Sequence, residues 1–282
     1  MDQSIINLFD EYTHKPLSRS EFLKRLAVLT GSTAAALAVL PLLEVNYAQA
    51  QTTQGPFKET WIEIPLEGGT PVKAFVATPD VPDKVGVVLV IHENRGLNPH
   101  IIDVARRVAK AGYVGIAVDS LSSFGGTPED SDKARTLIGE LSPELALAQY
   151  QAAFAFAQKM EKSNGNVGCV GFCWGGAMAN RLAVSQPELK AAVAFYGRQA
   201  AAEEVPNIKT AVQLHYAGLD ERINAGIEAY EAALKANSKT YELYVYEGVN
   251  HAFHNDTAPT RYNAEAAQLA WERTLAFFGK YL

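Results

Sequence analysis

The sequence predicts an α/β fold in which a mostly parallel central sheet is flanked by helices, and three observations support it. Continuous apolar runs such as Val85 to Ile91 are short and lack alternation, the pattern of strands buried on both faces. These runs alternate with segments of helical spacing, which implies right-handed crossovers between parallel strands. The third is the stretch from Asn166 to Gly176. There an apolar run, Val167 to Val170, meets Gly171-Phe172-Cys173-Trp174-Gly175-Gly176 and then an amphipathic segment, Ala177 to Val184. Strand, sharp turn and helix in that order form the setting of a nucleophile elbow, here with Cys173 at the turn. The residue at such a turn sits at strained φ/ψ. The positions two before and two after it must lack side chains because strand and helix press together, which accounts for Gly171 and Gly175.

The remaining elements follow in order. Gln51 to Pro56 is a polar linker. Trp61 to Leu66 and Val72 to Thr78 alternate around Gly68-Gly69 and read as a hairpin. The Val85 to Ile91 strand ends in His92-Glu93-Asn94-Arg95-Gly96; a helix from Pro99 to Ala111 follows, closed by Gly112. Tyr113 to Val118 is the next strand, and Ser122 to Asp132 is a polar loop. Two helical segments come next, the second from about Pro143 to Lys162. Beyond the elbow lie strands Ala191 to Tyr196, Ala211 to Tyr216 and Tyr241 to Tyr246, a helix from about Ala225 to Ala236, and a closing helix from about Asn263 to Tyr281.

With 282 residues and 48% apolar content, the chain suits one catalytic domain, residues 56–282, behind an extension, residues 1–55. A net charge of −6 without any basic cluster argues against nucleic acid as a partner. The 2 cysteines lie four apart across a strand end and are not expected to pair, and Cys169 reads as core. The extension has Arg19 and Lys24 ahead of a mostly apolar run, Leu26 to Leu43, and then Ala48-Gln49-Ala50, the order of an export signal. It is similar to a twin-arginine signal, with Ser20 where the second Arg would stand. Two readings stay open. One is a periplasmic protein with a degenerate signal. The other is a retained, cytoplasmic chain whose extension packs on the catalytic domain or on a second subunit, giving a homo-oligomer. Thr30-Gly31-Ser32-Thr33 interrupts the run, which falls short of the ~20 residues of a membrane span, so no stable span is expected.

In parallel sheets reactive groups gather past the carboxyl ends of the strands. Those ends carry Glu93, Asp119, Cys173, Arg198, Asp220 and His251. Nucleophile, acid and His in that chain order is the arrangement of the α/β-hydrolases, and Cys173, Asp220 and His251 satisfy it. Gly171-Phe172-Cys173-Trp174-Gly175-Gly176, with Gly218-Leu219-Asp220 and Gly248-Val249-Asn250-His251-Ala252-Phe253, resembles the dienelactone hydrolase (carboxymethylenebutenolidase) family over nearly everything from Trp61 to Leu282. The resemblance implies an α/β-hydrolase fold, a Cys-His-Asp triad, and hydrolysis of a small ester or lactone without a cofactor. It also implies a glutamate after the third strand that handles the thiol proton; Glu93 stands at that position.

The chemistry follows from the residue types. A free thiol has a pKa near ~8.5 and needs a base at neutral pH. His251 is expected to be that base, and Asp220 to fix its tautomer and stabilise its charged form. Backbone N–H groups of Trp174 and Asn94 are expected to meet the oxyanion. His254 and Glu221 are the nearest rivals of His251 and Asp220, and Glu93 could instead pair with Arg95 or Arg106. His92 and His215 read as packing residues. No group of His, Cys and Asp has the chain spacing of a metal site, so no metal is expected. The chain departs from the family pattern at the substrate carboxylate: where an Arg is expected four residues after the catalytic His, Asn255 stands. Arg135 and Arg198 are the candidate substrate-binding cations, and a small ester other than the dienelactone is equally compatible. From a different class, a catalytically silent small-molecule binding protein on the same fold is the alternative.

Overall fold

The computed structural model describes residues 1–15 and 17–282. Three helices open the chain, α1 (Gln3–His14), α2 (Arg19–Thr30) and α3 (Thr33–Leu43), followed by strands β1 (Phe57–Ile64) and β2 (Val72–Pro79). Then come β3 (Val85–Ile91), α4 (Pro99–Lys110), β4 (Val114–Val118), α5 (Ser131–Glu140), α6 (Pro143–Lys159), β5 (Ser163–Phe172) and α7 (Trp174–Ser185). The chain finishes with β6 (Ala191–Phe195), β7 (Ala211–Ala217), α8 (Glu221–Asn224), α9 (Ile227–Ala236), β8 (Tyr241–Tyr246) and α10 (Ala264–Tyr281).

The eight strands make one sheet in the order β1-β2-β4-β3-β5-β6-β7-β8. The hairpin pairs Phe57 with Pro79 through to Ile64 with Val72, and β2 is antiparallel to β4. From β4 to β8 every neighbouring pair is parallel. The lack of alternation in β3 has its reason in the packing. Val87, Leu89 and Ile91 join Tyr150 and Phe154 of α6 and Leu182 of α7 in one core, while Val88 and Val90 join Ile101 and Val104 of α4 and Phe277 and Phe278 of α10 in the other. Both faces exclude water, so both sets of side chains are apolar.

Helix starts follow local chemistry. Asn98 accepts from the Ile101 N–H and Pro99 opens α4; Ser142 accepts from the Leu145 N–H and Pro143 opens α6. The helix expected from about Ala225 to Ala236 is α9, and a short helix that was not expected, α8, precedes it. The Asp220 side chain caps Ile223, so α8 begins at Glu221, and Gly226 separates it from α9.

The first three helices fold against each other around Phe9, Tyr12, Phe22, Leu26, Leu40 and Leu43. Gly31, at φ 84°, ends α2, and Ser32 restarts the chain by capping α3. No single helix among the described residues is long and apolar enough to cross a membrane; α2 and the Thr33–Gln49 segment pass that test only together, bent by 110°. The cluster rests on the C-terminal edge of the sheet. Gln3 Nε2 donates to Asn250 Oδ1 at 2.5 Å, Asn94 Nδ2 to the Thr13 carbonyl at 3.0 Å, and Arg135 to the Tyr12 carbonyl at 2.7 Å. The Arg135 guanidinium also lies 4.2 Å over the Tyr12 ring.

Candidate active site

Cys173 stands between β5 and α7 at φ 55°, ψ −110°, a conformation L-residues rarely adopt. The two flanking glycines are sterically required: a Cβ on Gly171 would fall on the Gly175 carbonyl, and one on Gly175 on the Ile91 carbonyl. The Cys173 N–H donates to the Phe195 carbonyl at 3.0 Å, which ties the turn to β6. Trp174 opens α7, so its N–H belongs to the first turn, whose amides lack intrahelical acceptors and carry the positive end of the helix dipole.

Asp220 follows β7 and divides its two oxygens between tasks. Oδ1 accepts from the Ile223 N–H at 3.2 Å and caps α8, while Oδ2 meets His251 Nδ1 at 2.5 Å. Burial opposes charge on Asp220, but the imidazole's charge and hydrogen bond outweigh it and hold the carboxyl below its usual range. With Nδ1 committed to a carboxylate, His251 presents Nε2. That atom is buried and has no hydrogen-bond partner among the described residues.

The nearest partner of the sulfur is a residue absent from the sequence expectations. His14, in the last turn of α1, places Nε2 3.2 Å from Cys173 Sγ. Its Nδ1 lies 2.9 Å from the Asp10 carbonyl, and the Asp10 carboxylate stands 3.1 Å away without making a directed hydrogen bond. Burial disfavours charge on His14, yet Cys173 and Asp10 together raise its pKa above the usual histidine value. A nitrogen of each imidazole and the Cys173 sulfur lie within 4.8 Å of one another, and the two rings meet edge to face at 4.7 Å. Soft thiolate and imidazole donors of this kind could hold a divalent ion. Chain spacing could not reveal the group, because His14 lies 159 residues from Cys173. The one local signal was Asp10 and His14, a helical turn apart in a chain with 6 histidines.

Glu93 is buried beside the site, and both its oxygens are engaged. Oε1 accepts from the Tyr196 hydroxyl at 3.3 Å and Oε2 from Asn255 Nδ2 at 2.6 Å. Asn255, which stands where a carboxylate-binding Arg was expected, thus holds Glu93. Neither suggested ion pair is present for Glu93 among the described residues: Arg106 pairs with Glu59 at 2.7 Å, and Arg95 keeps a buried, unpartnered Nη1. Asn94 lies in the braced loop after β3. Arg135 and Arg198 both line a cavity of about 460 Å3 that opens onto Cys173, His14 and His251, with Ile138, Leu141 and Ile223 as apolar walls.

His254, His215 and His92 have packing roles. His254 stacks on Phe172 at 4.9 Å, and burial drives its pKa well down. His215 lies between Phe195 and Tyr244, with its pKa lowered to about 3 by burial. His92 donates Nδ1–H to the Glu93 carbonyl at 2.6 Å and stacks on Trp174 at 5.2 Å, supporting the residue next to the nucleophile. Cys169 is fully buried, which pushes its thiol up to about 12.

A doubly flanked, mostly parallel sheet in this strand order, with a strained elbow residue after β5 and a His–Asp pair after β8 and β7, defines an α/β-hydrolase. The description "Dienelactone hydrolase family" matches residues 72–282. A protein of Methylorubrum extorquens named "Putative carboxymethylenebutenolidase" is 33% identical over 236 residues, covering 78% of this chain and 80% of the relative. One of the same name from Escherichia coli K12 is 31% identical over 247 residues, covering 82% and 90%. A crystal structure from Klebsiella pneumoniae, named "Putative Dienelactone Hydrolase", superposes with a TM-score of 0.74 at 27% identity over 80% of this chain and all of that one. The chain therefore belongs to the dienelactone hydrolase family and is a hydrolase.

Proposed function

We propose that this protein hydrolyses small carboxylic esters or lactones by a thioester route, with Cys173 as nucleophile, His251 as acid–base and Asp220 as its orienting partner. The observation that carries the reading is the strained sulfur within 4.8 Å of an imidazole whose other nitrogen meets a buried carboxylate. The Cys173 sulfur attacks the carbonyl carbon and the C=O electron pair moves onto oxygen. The N–H groups of Trp174 and Asn94 meet that oxyanion. Collapse releases the alcohol and leaves a thioester, which water cleaves with a proton drawn off by imidazole. Glu93, held by Tyr196 and Asn255, supports the site as a buried, hydrogen-bonded side chain.

The cavity suits a compact substrate with an apolar portion against Ile138, Leu141 and Ile223 and polar oxygens towards Arg135 and Arg198. Residues 1–55 act as a helical extension and 56–282 as the catalytic domain. Val28, Leu29, Leu37 and Leu42, exposed on α2 and α3, are the surface through which copies of the chain would associate. An ester and lactone panel run with the wild type beside Cys173→Ala tests the activity. Turnover of at least one small ester, lost by roughly 10³-fold or more in the variant, is expected. Equal turnover by both proteins contradicts the reading.

A further inference from the structure

Two features of the site remain unused by a single triad. The thiol's hydrogen-bond partner is His14 rather than His251, and among the described residues His251 Nε2 is buried without a partner. The glutamate expected to take the thiol proton is meanwhile engaged by Asn255 and Tyr196. Building on the thioester mechanism above, we infer that His14 is a second catalytic base, which takes the Cys173 proton during acylation and leaves His251 to activate water during deacylation.

The geometry on each side of the sulfur supports this division. At Asp10, His14 Nδ1 meets only oxygen acceptors, and the Thr13 hydroxyl 3.0 Å from Nδ1 has the Phe9 and Asp10 carbonyls to donate to, so Nδ1 carries the proton and Nε2 in the neutral ring offers a lone pair to the S–H. His251 also has a carboxylate beside Nδ1, here in a direct 2.5 Å hydrogen bond to Asp220. Each imidazole thus has a ring nitrogen within 4.8 Å of the one sulfur and a carboxylate beside its Nδ1. The groups facing the cluster are mixed in sign. Asp10 is 3.4 Å from Arg222, while Glu93, Arg95 and Arg261 line a small cavity together with His14, Cys173 and His251, and Arg135 lines the larger cavity beside it. His14 is held in place by the α1 contacts to Asn94 and Arg135, so the base does not depend on a mobile tail.

The steps balance. In acylation the S–H proton passes to His14 Nε2, the S–C bond forms, and the C–O bond to the leaving group breaks. The departing alkoxide then takes the proton back from His14. In deacylation His251 Nε2 removes a proton from water as its oxygen attacks the thioester carbon. The S–C bond breaks and the proton returns to the thiolate. No step needs an oxidant or a metal.

The test measures iodoacetamide alkylation of Cys173 from pH 5.5 to 9, together with pre-steady-state acylation and deacylation rates for p-nitrophenyl acetate, in the full-length protein. His14→Gln is expected to slow acylation, and alkylation near pH 6.5, by roughly 10–100-fold while leaving deacylation within about threefold. His251→Gln is expected to show the reverse, with a burst and an accumulating thioester. Asp10→Asn, which keeps the size of the side chain, should move acylation in the direction of His14→Gln, and imidazole added to His14→Gly should restore acylation. Unchanged alkylation and acylation in His14→Gln, or equal slowing of both steps, overturns the assignment. So does one equivalent of zinc in the purified enzyme that blocks alkylation until chelated, since the cluster is then a metal site. Turnover surviving in Cys173→Ala would instead sink the thioester mechanism itself, whatever the His14 variants do.

Discussion

Asp220 is the residue whose two contacts separate structure from chemistry most cleanly. Oδ1 caps α8 and Oδ2 orients His251. Asp220→Asn can keep the cap through its amide oxygen, but its NH2 group cannot accept from Nδ1–H, so the imidazole loses its preferred tautomer. Stopped-flow assays should show kcat reduced by about 10²–10⁴-fold with α8 intact by circular dichroism; a loss below threefold would mean the pair is structural. Asp220 and His251 were legible because strand ends and chain order point to them. His14 was not, since nothing local says that a helix from the N-terminal extension will cross the sheet edge and end at the elbow. Asn255 was legible as a departure, though its use in holding Glu93 needed the fold.

At the level of elements, the elbow and α5 make contrasting claims about glycine. Gly171 and Gly175 leave no room for a methyl group because backbone carbonyls occupy it. Alanine at either should cost about 3 kcal/mol or more, read as a lower urea midpoint. Gly139 lies inside α5 with nothing within 4 Å of a Cβ, so Gly139→Ala should stabilise the protein by about 0.4–1 kcal/mol. Equal effects at the three positions would contradict the packing argument. Strands and long helices were readable from apolar spacing to within a few residues. The short α8 ahead of α9 was not, because it turns on one side chain capping a backbone amide. The extension's apolar run reads equally as a signal or as a packed helix: α2 and α3 bury one face around Phe22 and Leu26 and leave Val28 and Leu37 outside, so composition alone cannot separate the two.

The whole molecule carries several buried titratable groups, and they set its pH window. His215 and His254 have folded pKa values below their unfolded value of about 6.5, so the folded state holds them neutral. Their contribution is intact above pH 6.5 and is lost as pH falls, by up to about 1.4 kcal/mol per unit for each histidine. Asp10 and Asp220 act in the same direction at lower pH, since their folded values are depressed and their stabilisation fades as pH drops below the carboxylate range. His14 has the opposite sign: its raised value stabilises below pH 6.5 and is lost as pH rises through it. Urea midpoints measured from pH 8 to 4.5 should therefore decline on the acid side, and a flat profile would contradict the neutral burial of His215 and His254. The central claim, that the Cys173 sulfur becomes acylated, is tested most directly by intact mass and peptide mapping of His251→Gln quenched milliseconds after mixing with p-nitrophenyl acetate. The account predicts one acetyl group on the peptide bearing Cys173, formed at the rate of nitrophenol release; nitrophenol released at the wild-type rate with no adduct on that peptide would contradict it.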